Sequence, residues 1–334
     1  MAPEKRLWLT ALISIFLMCF SAYCAWTEPI QLPELNGEVY GASRPRVSSD
    51  GSLIYFVRHT EHDTYYLWEA QRNEETGVYE NLRIVSEIGN LGGRMIFGVW
   101  LSEDSTRMYH CWDDPDIPGP WGWGRSMSMA IRNNPNEMWQ QVQHFPELQT
   151  NRALSYVSLT SDELNIMWSS RNESGAAEDI YTASRQSREE QFSNIRFMPE
   201  LTGVGAMEPY MTADGLSVYF HVSLGDNVFE IRKGSRENLD SAFGNFKPLS
   251  EVINTPGGKI MSPCITPDGS SLYFLKYDPS QPIEKAGIHV SHWVDNSLHF
   301  DGADDYVEIV DFKGVSGSGP RTCSAWIKTS TIGG

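Results

Sequence analysis

The chain has 334 residues, 43 of them acidic and 26 basic, for a formal net charge of −17 at pH 7. That excess of negative charge repels phosphate backbones and excludes nucleic acid as a natural partner. Hydrophobic residues make up 40% of the chain, with no long charge block or low-complexity tract, which describes a folded protein rather than a disordered one.

Residues 1–25 read as a secretory signal. Lys5 and Arg6 form a positive start, and Leu7 to Phe20 is an apolar run too short to span a bilayer comfortably. Cleavage would follow Ala22-Tyr23-Cys24 or Ala25; lipid attachment at Cys24 and an uncleaved anchor are the alternatives. A short segment from Trp26 to Leu32 then reads as a strand led by an aromatic residue.

From here a pattern recurs five times, anchored on Asp50, Asp104, Asp162, Asp214 and Asp268, at steps of 54, 58, 52 and 54 residues. Three residues before each Asp stands an aliphatic side chain (Val47, Leu101, Leu159, Met211, Ile265), and two before it a hydroxyl (Ser48, Ser102, Thr160, Thr212, Thr266). The hydroxyls are expected to hydrogen-bond locally beside a turn. Asp50-Gly51, Asp214-Gly215 and Asp268-Gly269 signal hairpins of type I′, whereas Asp104-Ser105 and Asp162-Glu163 require a different or strained turn. Third strands follow, such as Ile180 to Arg185, and then fourth strands led by Tyr79, Trp139, Phe192 and Phe246. Four antiparallel strands per unit, repeated at this period, predict an all-β fold, a five-bladed β-propeller over residues 26–293. The fifth copy stops after three strands at Trp293, so the N-terminal strand is expected to complete it and close the ring, removing an open sheet edge.

The segment Ser262-Pro-Cys-Ile-Thr-Pro-Asp-Gly-Ser-Ser-Leu-Tyr-Phe274, with Asp179 to Arg185 as a third strand, resembles the TolB-like, WD-repeat-like propeller repeat of bacterial secreted proteins. The resemblance implies a binding or scaffolding fold with no shared catalytic signature. Residues 294–334 change character. Ser297 to Ile309 and Thr322 to Lys328 resemble the first strands of a laminin-G-like, concanavalin A-like jelly roll. A complete sandwich of that kind needs well over roughly 100 residues to bury a core, so the chain is expected to be a fragment of a longer one.

Between the second and third strands of copy two lies an unusual loop. Trp112, Asp113, Asp114, Asp116, Trp121, Trp123 and Arg125 combine three indoles, three carboxylates and a guanidinium among stiffening prolines. Three readings stay open. The loop covers the neighbouring blade; or its indoles stack on sugar rings while its carboxylates accept hydroxyls; or the carboxylates hold Ca²⁺ through oxygen ligands. Arg58, His59 and Asp63, with Tyr277 and Asp278, are expected on the same loop face. No phosphate loop, HExxH or CxxC motif is present, and no other cofactor is indicated. Cys111, Cys264 and Cys323 form no disulfide framework and read as small buried hydrophobes.

The residues therefore point to a secreted, periplasmic or cell-surface binding protein for glycan or protein, with no catalytic residue assigned. The alternative is a carbohydrate-active enzyme on a five-bladed propeller, which would need carboxylates at the channel mouth. Just before the aliphatic positions the first strands offer Arg46, Trp100, Ser158, Tyr210 and Cys264, none of them acidic, with Glu208 the one acid nearby.

Overall fold

The computed structural model describes residues 25–37, 41–59, 65–88, 96–114, 116, 124–149, 153–171, 178–279 and 286–294. Two compact units divide the chain, Met1–Asp295 and Asn296–Gly334, and every described residue belongs to the first. Apart from Ala25 and Val294, which pair with each other in the last sheet, the segments expected as signal and jelly roll, with Cys323, lie outside the described residues.

The fold is all-β and of the propeller type. Copy one forms a four-stranded antiparallel sheet from β3 (Ala42–Val47), β4 (Leu53–His59), β5 (Tyr65–Arg72) and β6 (Tyr79–Ile84). Copy two does the same with β7 (Ile96–Leu101), β8 (Arg107–Asp114), β9 (Gly124–Ile131) and β10 (Gln140–His144), and copy three with β11 (Ala153–Leu159), β12 (Asn165–Arg171), β13 (Glu178–Ser184) and β14 (Ser193–Phe197). The last two copies share a nine-stranded sheet, joined by one parallel bridge between Phe229 and Lys259. Its strands are β15 (Met207–Met211), β16 (Ser217–Gly225), β17 (Val228–Ser235), β18 (Gly244–Pro248), β19 (Lys259–Ile265), β20 (Ser271–Tyr277) and β21 (Gly287–Val294), with β1 (Ala25–Trp26) and β2 (Ile30–Gln31). The two N-terminal strands both pair antiparallel with β21, so the start of the described chain supplies the outer edge of the last sheet. The first strands β3, β7, β11, β15 and β19 touch one another in cyclic order, each packed on the next and β19 on β3.

The repeated side chains make the same contacts each time. Every hydroxyl before the turn donates to its Asp Oδ1 at 2.6 Å. The turn is not type I′. Only the residue after each Asp has positive φ: Gly51 at 72°, Ser105 at 55°, Glu163 at 64°, Gly215 at 71° and Gly269 at 74°. A hydrogen bond from the Gly51 N–H to the Ser48 carbonyl, 3.0 Å, closes a type I turn before that left-handed residue. The Asp carboxylate prefers this geometry because it reaches its own hydroxyl and the N–H two residues on, for example Ser52 at 2.9 Å.

Seams between neighbouring units carry a second repeat. Glu34, Glu87, Glu147 and Glu200 each accept the backbone N–H of the aromatic residue that leads the next unit's fourth strand, at 3.1–3.3 Å: Tyr79, Trp139, Phe192 and Phe243. The aromatic equivalent in copy four is thus Phe243, not Phe246. Phe246 lies within β18 and packs on Phe220 instead. Three of these aromatics are capped by a third-strand arginine: Arg132 over Trp139, Arg185 over Phe192 and Arg236 over Phe243, at 4.0–4.4 Å. Each arginine also donates to the carbonyl of the left-handed turn residue, at 2.8–3.0 Å. In copy one the Tyr79 hydroxyl reaches that carbonyl itself, Gly51 O at 2.9 Å.

Candidate functional site

All five first strands carry a register shift in their pairing with the second strand. The shift spans the residue six before the Asp in four copies, at Arg44, Tyr156, Glu208 and Ser262, and in copy two it falls at Phe97, just before the equivalent Gly98. Four of these take left-handed backbone conformations, with φ of 55°, 48°, 50° and 55° for Arg44, Tyr156, Glu208 and Ser262. A left-handed residue bearing a Cβ costs about 1–2 kcal/mol. Bulges of this kind re-aim a side chain, and here the four side chains meet. Gly98 makes room: a Cβ there would stand 2.7 Å from Tyr156 Cα and 2.9 Å from Tyr156 N.

Glu208 is the hub. Ser262 Oγ donates to its Oε2, the Tyr156 hydroxyl donates to the same carboxylate, and Arg44 Nε lies 3.6 Å from Oε1. Glu178 Oε2 accepts the Glu208 backbone N–H at 3.0 Å. Burial alone would raise the pKa of Glu208, but nearby His221 and Arg44, with the Ser262 and Tyr156 hydroxyls, hold it below the ordinary carboxylate value. The carboxylate is therefore a charged acceptor. Burial pushes the pKa of His221 down, against the pull of Glu208. Arg44 has its Cζ 5.4 Å over Tyr156 and 5.9 Å over Phe97. Two residues further along β3, Arg46 is 2% exposed. Its Nη1 donates to Pro45 O at 2.7 Å, while Nε and Nη2 have no hydrogen-bond partner among the described residues.

The candidate loop divides along β8, where alternate side chains point to opposite faces. Asp113 and Arg125 pair across β8 and β9. Asp113 Oδ1 lies 3.2 Å from Arg125 Nε, and Arg125 stacks 3.1 Å over Phe97 and donates to Ser155 Oγ at 2.8 Å. Through Phe97, the residue before Gly98, this buried pair borders the Glu208 cluster. Trp112, Asp114 and Asp116 lie elsewhere, lining a cleft of about 390 Å³ with Ser126, His144 and Gln149. There Trp112 Nε1 donates to Ser128 Oγ at 3.0 Å and Ser126 Oγ to Asp114 Oδ2 at 2.5 Å. Trp112 also packs on the core cluster containing Leu53 and Tyr55. Trp121 and Trp123 lie outside the described residues. Among the described residues no group of three His, Cys, Asp or Glu side chains is arranged to hold a metal. Arg58 is engaged with the backbone, donating to Leu35 O and Asn36 O at 2.6 and 2.9 Å. Cys111 and Cys264 are free and buried.

Glu208 stands out in the sequence as the acid nearest the first-strand positions, but its partners do not. The five copies keep aliphatic and hydroxyl residues at fixed positions and hold Arg, Gly, Tyr, Glu and Ser six before each Asp, the signal that points to them.

No family model matches the chain, and no curated protein matches it. Solved structures do. The chain is similar to the α-L-arabinofuranosidase PaAbf62A from Podospora anserina, with TM-score 0.54, 12% identity, and 81% of this chain and 97% of that one covered. It is similar to the catalytic domain of the GH62 α-L-arabinofuranosidase from Coprinopsis cinerea, with TM-score 0.51, 11% identity and coverages of 81% and 98%. TolB from Acinetobacter baumannii matches at TM-score 0.45 and 12% identity over 77% of this chain and 55% of that one. At these identities the first two likenesses define the fold, a β-propeller, and leave its chemistry to the residues.

Proposed function

We propose that this chain is a secreted or cell-envelope binding protein on a five-bladed propeller, and that its ligand is a saccharide received where the bulged first strands converge. The observation that carries this reading is the state of Glu208. Its carboxylate is held ionised by Arg44, Ser262 and Tyr156, which disfavours the proton donation that a hydrolase asks of its acid, for which a raised pKa is needed. Strained backbone gathered at one place supports a ligand site there. Residues 1–25 act as the export signal, and the laminin-G-like segment 294–334 adds a second hold on glycan or a surface protein. The Trp112 cleft, with Asp114 and Asp116, is a subsidiary contact, and Ca²⁺ is its candidate ion. Among the described residues no helix is long and apolar enough to cross a membrane.

A second reading is a glycosidase. Glu178 stands beside Glu208, its Oε2 on the Glu208 backbone N–H, and glycoside hydrolysis uses two carboxylates. The structural neighbours named above include arabinofuranosidases. One experiment separates the readings: incubate the full chain with a polysaccharide panel, with and without calcium, and follow retention and newly released reducing ends in the same tubes. Retention without release is expected. Release that disappears in Glu208→Gln would replace binding by hydrolysis, and absence of both signals would reject the saccharide reading.

A further inference from the structure

We infer that the saccharide taken at the Glu208 cluster is acidic: a sugar carboxylate, of the uronate class, docks on the Arg44 guanidinium. The inference rests on the saccharide-binding reading above and adds the ligand's charge. It starts from which charged group at the cluster still has capacity. Glu208 is occupied by Ser262, Tyr156 and Arg44. Asp113 is matched by Arg125, and Glu178 is turned to the backbone N–H of Glu208. Arg44 differs. Its side chain is 23% exposed, and it meets Glu208 through Nε at 3.6 Å, longer than a hydrogen bond.

A guanidinium carries five N–H donors in a fixed fork. Nε faces Glu208, the Tyr156 hydroxyl interacts with the same group, and two aromatic rings flank it. Five donors exceed the two partners named, and a carboxylate is the acceptor that such a fork fits. Arg46 supplies the second observation. It lies two residues along the same strand, nine-tenths buried or more, with Nε and Nη2 unpartnered among the described residues. A buried cation without a full set of acceptors favours negative charge nearby. A neutral sugar offers Arg44 and the unpartnered Arg46 nitrogens no charged acceptor, and a uronate does.

The test is calorimetric titration of the full chain with oligogalacturonate, with its methyl ester, and with a neutral xylo-oligosaccharide. The ester keeps the sugar and removes the charge. The acid is expected to bind at least about tenfold more tightly than the ester, the scale of one charge-assisted hydrogen-bonded contact, and to weaken with added NaCl. Arg44→Met should abolish the difference between acid and ester; Arg44→Lys, which keeps the charge without the fork, should retain part of it. Equal affinity for acid and ester overturns the inference even if the Arg44 variants fail to fold. Binding of the neutral sugar alone overturns it while the saccharide reading stands. Binding of none of the three overturns both.

Discussion

Arg107 and Glu163 tie the second sheet to the third through a forked ion pair, with Arg107 Nε 2.8 Å and Nη2 2.7 Å from Glu163 Oε1. The Tyr109 hydroxyl adds a bond to Oε2 at 2.8 Å. Glu163 makes these contacts from the left-handed turn position, where three other copies have glycine and copy two has Ser105. Backbone strain and inter-sheet bonding therefore compete at one residue. Ser105 has the strain without the ion pair. Ser105→Gly is expected to stabilise by up to about 1 kcal/mol. Glu163→Gly relieves the same strain but strands Arg107 and is expected to destabilise by about 2–4 kcal/mol, the half-exposed arginine keeping it near the lower end of the range for broken buried pairs. Urea denaturation of the two variants checks both signs.

His110 predicts an acid limb in the stability profile. It stands where the other copies have Phe56, Trp168, Phe220 and Phe274, and is fully buried. Burial lowers its pKa from 6.5 to about 4. Between those values the unfolded chain binds the proton and the native chain does not. Stability therefore rises with pH across that window and is lost as pH falls from 6.5 toward 4, by about 3 kcal/mol for this group. His289, also lowered to about 4 by burial, adds to the same limb. His110→Phe should stabilise at pH 7 and flatten the difference between pH 4.5 and pH 7. An unchanged slope would show that His110 is not the group responsible.

Gly98 is predicted to tolerate no side chain. A Cβ would meet the backbone of Tyr156, which cannot move aside without displacing a residue of the Glu208 cluster. Gly98→Ala is expected to cost about 2–3 kcal/mol and to weaken ligand binding as well, whereas Gly51→Ala, with nothing within 4 Å, should cost only its left-handed strain. Thermal melts of the pair separate crowding from strain.

The N-terminal strands are predicted to be indispensable. Trp26 meets Trp293 edge-on at 5.2 Å, Ser291 Oγ donates to Thr27 O at 2.7 Å, and Leu35 is fully buried. Removal of residues 25–36 should cause aggregation or lower the melting temperature by at least about 10 °C. An unaltered melt would mean that β21 holds its place unaided.

The repeat was legible because its Asp, hydroxyl and aliphatic positions have fixed spacing, and local chemistry fixes the hairpin around them. The pairing of Trp26 and Ile30 with β21 followed from counting strands. Turn type was not legible: Asp-Gly serves both a type I′ turn and a type I turn with a left-handed residue after it, and Ser105 and Glu163 reveal which only through their backbone angles. Phe246 and Phe243 are indistinguishable by hydrophobicity, and the choice is made by Glu200 from a different unit. Glu208 was legible as the acid nearest the first strands, but its partners Arg44, Tyr156 and Ser262 were not, for the same kind of reason. A bulge adds one residue to a strand, and strict alternation then assigns every residue beyond it to the wrong face. In the 112–125 loop, adjacent aspartates read as one group, yet the pleat sends Asp113 toward Phe97 and Asp114 toward His144.

The partnership of Thr27 with Ser291, 264 residues apart, sets a timetable for the nascent chain. The segment synthesised first finds its partner last. At roughly 5–20 residues per second, the N-terminal strands wait about 13–50 seconds before β21 exists, exposing an unpaired edge throughout. Covering that edge is therefore the closing step of this molecule's assembly, and it waits on the arrival of β21.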